Sequence, residues 1–302
     1  MRSRFHTRVA LIAFGVLTIL IAGLGISTLR ALRQQELNMA LITAIKGTDA
    51  QRTHDLLALG ADPDTFDATR RRNSIWLLLS DQFRSPTEHP HTGTTALILA
   101  VNRVPSLYTD KFGNATALAI VSLLLNYGAH VDVKNTDGEN IFNVAADSAC
   151  ASQTLELLIQ RQSNIDHPIL MLRPLPIDWK SAVNGRTPLM TVSGWGGLDS
   201  VRILLDAGAD VDAKSEFGWT ALMYAVSRGR HENIDCLLTH HANVFNRARN
   251  GDTVLTLARA CRDTNSRNPF RHDDVADPWS DIVATIEQAE TRQQRANTIR
   301  SN

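Results

Sequence analysis

The sequence predicts an all-α solenoid, a stack of helix-turn-helix units joined by short extended fingers and preceded by one transmembrane helix. Three observations carry that expectation. The block Asn184–Lys214 repeats without gaps at Phe217–Arg247, Gly185, Gly218 and Gly251 recur at a spacing of 33, and Val9–Leu29 contains no charged side chain. Self-similarity at such a period is the signature of a repeat architecture, in which each unit contacts its neighbours.

The N-terminal element follows from charge and length. As a helix, the run from Val9 to Leu29 spans about 31 Å, against a hydrocarbon core of about 30 Å. Arg2, Arg4 and Arg8 precede it and outweigh Arg30 and Arg33 behind it, so the positive-inside rule puts the N-terminus in the cytoplasm. The expected order is a basic cytoplasmic segment at 1–8, a signal anchor at 9–29, a repeat array at 30–290 on the extracytoplasmic side and a polar tail at 291–302. For a bacterial chain this means the inner membrane, with the array in the periplasm. The apolar run exceeds that of a cleavable signal peptide, although small residues at Gly23, Gly25 and Ser27 leave cleavage of residues 1–27 open.

Each repeat can be read from its residue types. Thr187 suits an N-cap, and Pro188 suits the first helical position, where its missing N–H costs nothing. Val201, Leu204 and Leu205 then fall at helical spacing on a second helix, which Gly208 can end in the left-handed conformation. A unit this small cannot bury its apolar face alone, so neighbouring units must stack into one continuous core. Looser copies begin at Gly93 and Gly138, and a first copy at Met39–Asp64 lacks the opening glycine.

These residues resemble the ankyrin repeat family. The resemblance rests on "TPLMTV" at Thr187, "TALMYA" at Thr220, "TVLTLA" at Thr253 and "TALILA" at Thr95, with "GADVD", "GAHVD" and "GADPD" closing three copies. It covers Leu37 to Asn250 and continues to about Ala289 if "DPWSDIVATIEQAE" forms the second helix of a last copy. Where the family has His, this chain has Met190, Met223, Thr256, Ile98 or Asn143, so other groups must make those hydrogen bonds. His241 and Gln162 occupy the glycine place, where a left-handed side chain costs on the order of 1 kcal/mol. The copy at Gly138 also lacks the Thr and is expected to be the most irregular. Three insertions interrupt the array, near 65–92, 102–115 and 167–183, and the apolar content of "IWLLL" and "ILML" favours packing back onto it.

Aligning the copies separates what the scaffold needs from what one unit adds. The residue after the leading glycine is Thr94, Glu139, Arg186, Trp219 or Asp252, and the residue before it is Thr92, Asp137, Asn184, Phe217 or Asn250. Ten residues after it stand Arg103, Ser148, Trp195, Arg228 and Cys261. The scaffold therefore does not require Phe217, Trp219 or Trp195. Six residues after the glycine the set is Leu99, Val144, Thr191, Tyr224 and Leu257, mainly apolar, which assigns Tyr224 to the core. The resemblance implies that Phe217, Trp219, Trp195 and Arg228 lie on the finger and the concave side of the first helix, where partners of the family dock. Aromatic rings with arginine are also hot-spot composition. The alternative is that these rings pack on a neighbouring finger or an inserted loop. The candidate partner-binding set is Arg186, Trp195, Phe217, Trp219, Arg228 and Arg249.

Charge sorts the same strip. Asp137, Glu139 and Asp147 lie on the third copy, and Arg186, Arg228, Arg247 and Arg249 on the later ones, a division that would orient a partner. Overall, Lys+Arg and Asp+Glu are both 31, without the basic excess of a nucleic-acid binder. Cys150, Cys236 and Cys261 share no metal-like spacing and read as free thiols. The sequence has no phosphate-cradling glycine motif, no G-x-S-x-G and no H-E-x-x-H. Recurrent Asp132, Asp166, Asp210 and Asp212 fit turn hydrogen bonding. The expected function is a membrane-tethered scaffold that binds a protein partner, with no enzyme activity, cofactor, metal, nucleic acid or small-molecule substrate. An immunity-type inhibitor of a secreted toxin is the alternative, followed by an enzyme with its site in the inserted loops around His89, His91 and Asp110.

Overall fold

The computed structural model describes residues 25–67, 94–102, 111–135, 139–148, 151–163, 185–266 and 278–301. Its helices are α1 (25–46), α2 (Ala50–Ala58), α3 (Ala96–Asn102), α4 (Lys111–Asn126), α5 (Ile141–Ala146), α6 (Ala151–Ser163), α7 (Pro188–Trp195), α8 (Leu198–Asp206), α9 (Ala221–Ser227), α10 (His231–Thr239), α11 (Val254–Ser266) and α12 (Pro278–Ser301). Odd-numbered helices from α3 onward pack on one another in an inner layer, even-numbered ones from α2 to α10 in an outer layer, and each inner helix from α3 pairs with the outer helix that follows it. This is the expected all-helical stack.

Local chemistry sets the helix starts. Thr187 adopts an extended conformation and its hydroxyl accepts the Met190 N–H at 3.3 Å, with Pro188 opening α7. Thr220 caps α9 in the same way. Asn140 supplies the cap that the third copy lacks, accepting the Asn143 N–H at 2.9 Å. That copy's inner helix, α5, has 6 residues and is the shortest of the described helices. The hydrogen bonds expected of His are made by other groups: Thr187 N–H donates to Met190 Sδ at 3.4 Å, and Thr253 N–H to Thr256 Oγ1 at 2.8 Å.

Between the layers runs one core, from Leu41 and Ile45 in α1 through Ile98, Phe142, Met190 and Met223 to Ile282 and Ile286 in α12. Burying each such side chain contributes about 1.5–3 kcal/mol, and each unit shares it with its neighbours. The last helix closes the stack. Gln293 donates to Ala242 O at 2.7 Å and accepts the Val244 N–H at 3.2 Å, while Arg259 pairs with Glu287 at 2.7 Å. The segment expected as a polar tail from 291 thus continues α12 in helical form.

The fingers are extended pairs held by isolated bridges at Phe66↔Thr95, Lys134↔Asn140 and Arg247↔Thr253. Successive fingers touch at glycine. Gly218 has φ +75°, and a Cβ there would lie 2.9 Å from the Arg249 nitrogen, so no other residue fits without displacing the next finger. Beyond the second helices, Asp212 Oδ1 accepts from Asn243 N and Asn246 Nδ2, both at 2.9 Å, which latches one unit to the next. The same latch near the N-terminus joins Asp64 to the backbone N–H of His130 at 2.8 Å and to its ring Nδ1 at 2.5 Å. The side-chain hydrogen bond to Asp64, and then the Asp64 charge, raise the His130 pKa.

Some expectations change. His241 is left-handed at φ 64°, as its position predicted, but Gln162 lies inside α6, which continues to Ser163 because no glycine ends it. Asn102 still belongs to α3, and α4 begins at Lys111, so the insertion expected at 102–115 is helical at both ends. Thr65 and Phe66 belong to a finger, while most of 65–92 and all of 167–183 lie outside the described residues. Among the described residues no helix is long and apolar enough to cross a membrane. The expected anchor at 9–29 lies outside them up to residue 24; residues 25–29 open α1, which runs unbroken to residue 46.

Candidate functional site

The fourth and fifth units bring most of the candidate residues together. Trp195 is the last residue of α7, and Arg186 sits on the finger that leads into that helix. Helical side chains lean toward the N-terminus, which lets the Trp195 ring and the Arg186 side chain meet along α7. The Arg186 guanidinium carbon lies 5.1 Å from the Trp195 ring centroid. Arg228, the C-cap of the neighbouring α9, places its own guanidinium carbon 4.6 Å from the same centroid. Such contacts are worth about 0.5–1 kcal/mol at exposed sites and about 2 when water is removed.

Beneath this pair lies an aromatic ladder. Tyr224 in α9 stands with its ring centroid 6.0 Å from that of Trp195 and 5.2 Å from that of Trp219. Tyr224 is 8% exposed, as its position predicted, and it supports the site from below. Trp219 differs from the expectation of an exposed finger ring. It is half-buried against the core because the finger folds it onto Tyr224. Trp195, at 40% exposure, and Phe217, at 54%, remain open to a partner.

Phe217 and Arg249 meet through the backbone, where Arg249 N–H donates to Phe217 O at 2.9 Å. This bond fixes the register of two adjacent fingers, and both side chains face out from it as exposed residues. The carboxyl end of α7 is held as well. Asn233, 3% exposed on α10, donates to Ser193 O at 3.1 Å, and Arg230 Nε donates to Gly194 O at 3.3 Å. Satisfying these terminal carbonyls immobilises the turn that carries Trp195. Asn233 was not among the sequence candidates. Its signal is a polar residue on the buried stripe of α10, at the place where the previous copy has the equally buried Ser200.

Arg186 and Arg228 give the site a cationic character. Among the described residues neither Arg186 nor Arg228 forms an ion pair, and Arg186 Nε is buried without a hydrogen-bond partner. Arg230 and Arg247 are engaged with carbonyl oxygens. In the acidic half of the strip, Asp147 is exposed at the end of α5, while Glu139 accepts from Asn135 within its own finger at 3.3 Å. Asp137 and the His89, His91 and Asp110 alternative lie outside the described residues.

Among the described residues no group of His, Cys, Asp and Glu is placed to hold a metal ion. Cys236 is buried and Cys261 half-buried, and burial pushes both thiols up, which disfavours the reactive thiolate.

Comparison with known proteins agrees with the repeat fold. The family model for ankyrin repeats (3 copies) matches residues 112–215 and 168–248. The chain is similar to ankyrin repeat and SAM domain-containing protein 6 of Mus musculus, 35% identical over 120 residues, which cover 32% of this chain and 14% of the relative. It is 30% identical over 179 residues to the B-cell lymphoma 3 protein homolog of Mus musculus, covering 59% of this chain and 35% of that protein. An ankyrin repeat-containing protein of Treponema pallidum is 30% identical over 116 residues, covering 38% and 39%. The chain thus matches less than half the length of each of these relatives. Among solved structures, EF0377, an ankyrin repeat protein, superposes with a TM-score of 0.50 at 18% identity over 74% of this chain and 92% of the other. Residues 112–248 of this chain match ankyrin repeats, a protein–protein interaction module, and the fold they build is that of an ankyrin repeat solenoid.

Proposed function

We propose that this chain is a bacterial envelope scaffold that captures a protein partner on the concave and finger surface of its fourth and fifth repeats, while the segment Val9–Leu29 tethers it to the inner membrane. The observation that carries the reading is the Trp195 cluster. Two guanidinia meet the Trp195 ring, Tyr224 links that ring to Trp219, and Phe217 is exposed on the same finger as Trp219. Aromatic and arginine side chains on a preorganised support lose little conformational entropy on binding, which is what hot spots need. Tethering is supported by the length of the uncharged run and the arginines ahead of it. The unbroken helix from residue 25 into the first repeat would then join anchor and array without a loop.

Affinity capture tests the site. The full chain should retain a protein from envelope extracts that Trp195→Ala/Phe217→Ala releases, since both residues are exposed and their removal leaves the core intact. Equal recovery by the two baits removes the proposed surface. Protease treatment of intact spheroplasts tests the orientation, because an extracytoplasmic array is cleaved there and a cytoplasmic one is protected.

A further inference from the structure

The units at Gly185 and Gly218 exchange residue types at two equivalent positions. Arg186 and Trp195 in one correspond to Trp219 and Arg228 in the other. The exchange leaves Trp195 with two guanidinia over its ring, at 5.1 and 4.6 Å from one centroid. Those cations have therefore taken the ring as their support, and they are not neutralised by any carboxylate among the described residues. Arg230 and Arg247, by contrast, are spent on carbonyl oxygens within the array.

Resting on the proposed binding surface, we infer that its occupant is an acidic protein segment whose carboxylates meet Arg186 and Arg228, and that Trp195 is a positioning residue rather than an inserted anchor. A partner that covered this face without acceptors would desolvate two unpaired charges, which is strongly unfavourable. Carboxylates accept charge-assisted hydrogen bonds from a guanidinium fork in fixed geometry, and stacking on a ring limits the rotamer freedom lost in making them. Both guanidinium carbons lie within reach of one centroid, so two carboxylates on one short segment can meet them, at i and i+4 of a helix or i and i+2 of an extended chain. Arg249, exposed on the next finger, extends the charge along the face, which suits a run of carboxylates better than one concentrated anion. A chain with equal numbers of acidic and basic residues has no general attraction for polyanions, so the cationic character is local to this surface.

Fluorescence anisotropy on the full chain in neutral detergent tests this with a labelled peptide of alternating glutamate and glycine. The glutamine version and a version with phosphoserine in place of two glutamates serve as competitors. Binding of the glutamate peptide should weaken by at least about tenfold in Arg186→Gln/Arg228→Gln and in raised salt. Trp195→Phe should keep it and Trp195→Ala should lose it at unchanged melting temperature. Equal affinity for the glutamate and glutamine peptides, or for wild type and the arginine variant, overturns the inference. A phosphoserine peptide that displaces the glutamate peptide at far lower concentration also overturns it, in favour of a phosphorylated partner. If Arg186→Gln/Arg228→Gln still captures the protein that Trp195→Ala/Phe217→Ala releases, the surface stands and the acidic occupant falls. If both variants capture it, the surface itself falls.

Discussion

The repeats that begin at Gly185 and Gly218 share a backbone and differ in their faces. Both start on a capping Thr, carry a buried Leu and Met in the first turn and end near an Asp or Asn latch. Yet one presents Arg then Trp, and the other Trp then Arg, to the same side. Stability resides in positions the two units have in common, and the proposed recognition in positions where they part. Substitutions at the first kind should behave alike in both units, while those at the second should leave folding nearly untouched.

The strongest test of the shared part is the buried leucine. Leu189→Ala and Leu222→Ala, each 1% exposed, should each cost about 2–5 kcal/mol in urea unfolding. A large cost in one unit and none in the other would break the equivalence. The fingers sharpen it further. Gly251→Ala, at φ +89° with nothing within 4 Å of the new Cβ, should cost only the left-handed strain of about 1–2 kcal/mol. Gly218→Ala adds a collision with the Arg249 and Ala248 backbone and should cost clearly more in the same assay. At the other extreme, Arg228→Gln should change stability by about 0.5 kcal/mol or less while partner capture is lost.

The smallest expected effect concerns the latches. The folded-state pKa of His130 is raised, chiefly by its hydrogen bond to Asp64, so the protonated form is favoured by folding. The Asp64–His130 contribution is then fully present below the unfolded His value of about 6.5 and is lost as pH rises through the raised folded value. His130 is 70% exposed in its side chain, so solvent screens the pair and the effect is modest. His130→Asn copies the Asn243 latch and should remove this pH dependence, read as melting temperature against pH. An unchanged slope would mean the ring contact adds nothing to the backbone hydrogen bond.

Much of the architecture was legible because repetition supplies its own control. Thr187, Pro188, Gly208 and Gly218 announce a helix start, a helix end and a finger by residue type, and the copies check one another. Tyr224 was assigned to the core for the same reason. What was not legible depends on contacts between units. Trp219 looks like an exposed ring in the alignment, but its finger folds it onto Tyr224. The stacking of both arginines on one tryptophan joins residues of different units, and period alone does not reveal side-chain direction. Gln162 misled because its position implies a left-handed turn, whereas α6 continues past it.

The central claim is that a partner seats on the fourth and fifth repeats, and crosslinking in cells tests it most directly. A photoreactive phenylalanine analogue replaces Phe217, 54% exposed on the finger that carries Trp219, or Tyr127, 40% exposed at the end of α4 in the second repeat. The account predicts a partner adduct from position 217, abolished by Arg186→Gln/Arg228→Gln, and none from position 127. An adduct at 127 with none at 217 would place the binding surface elsewhere and contradict it.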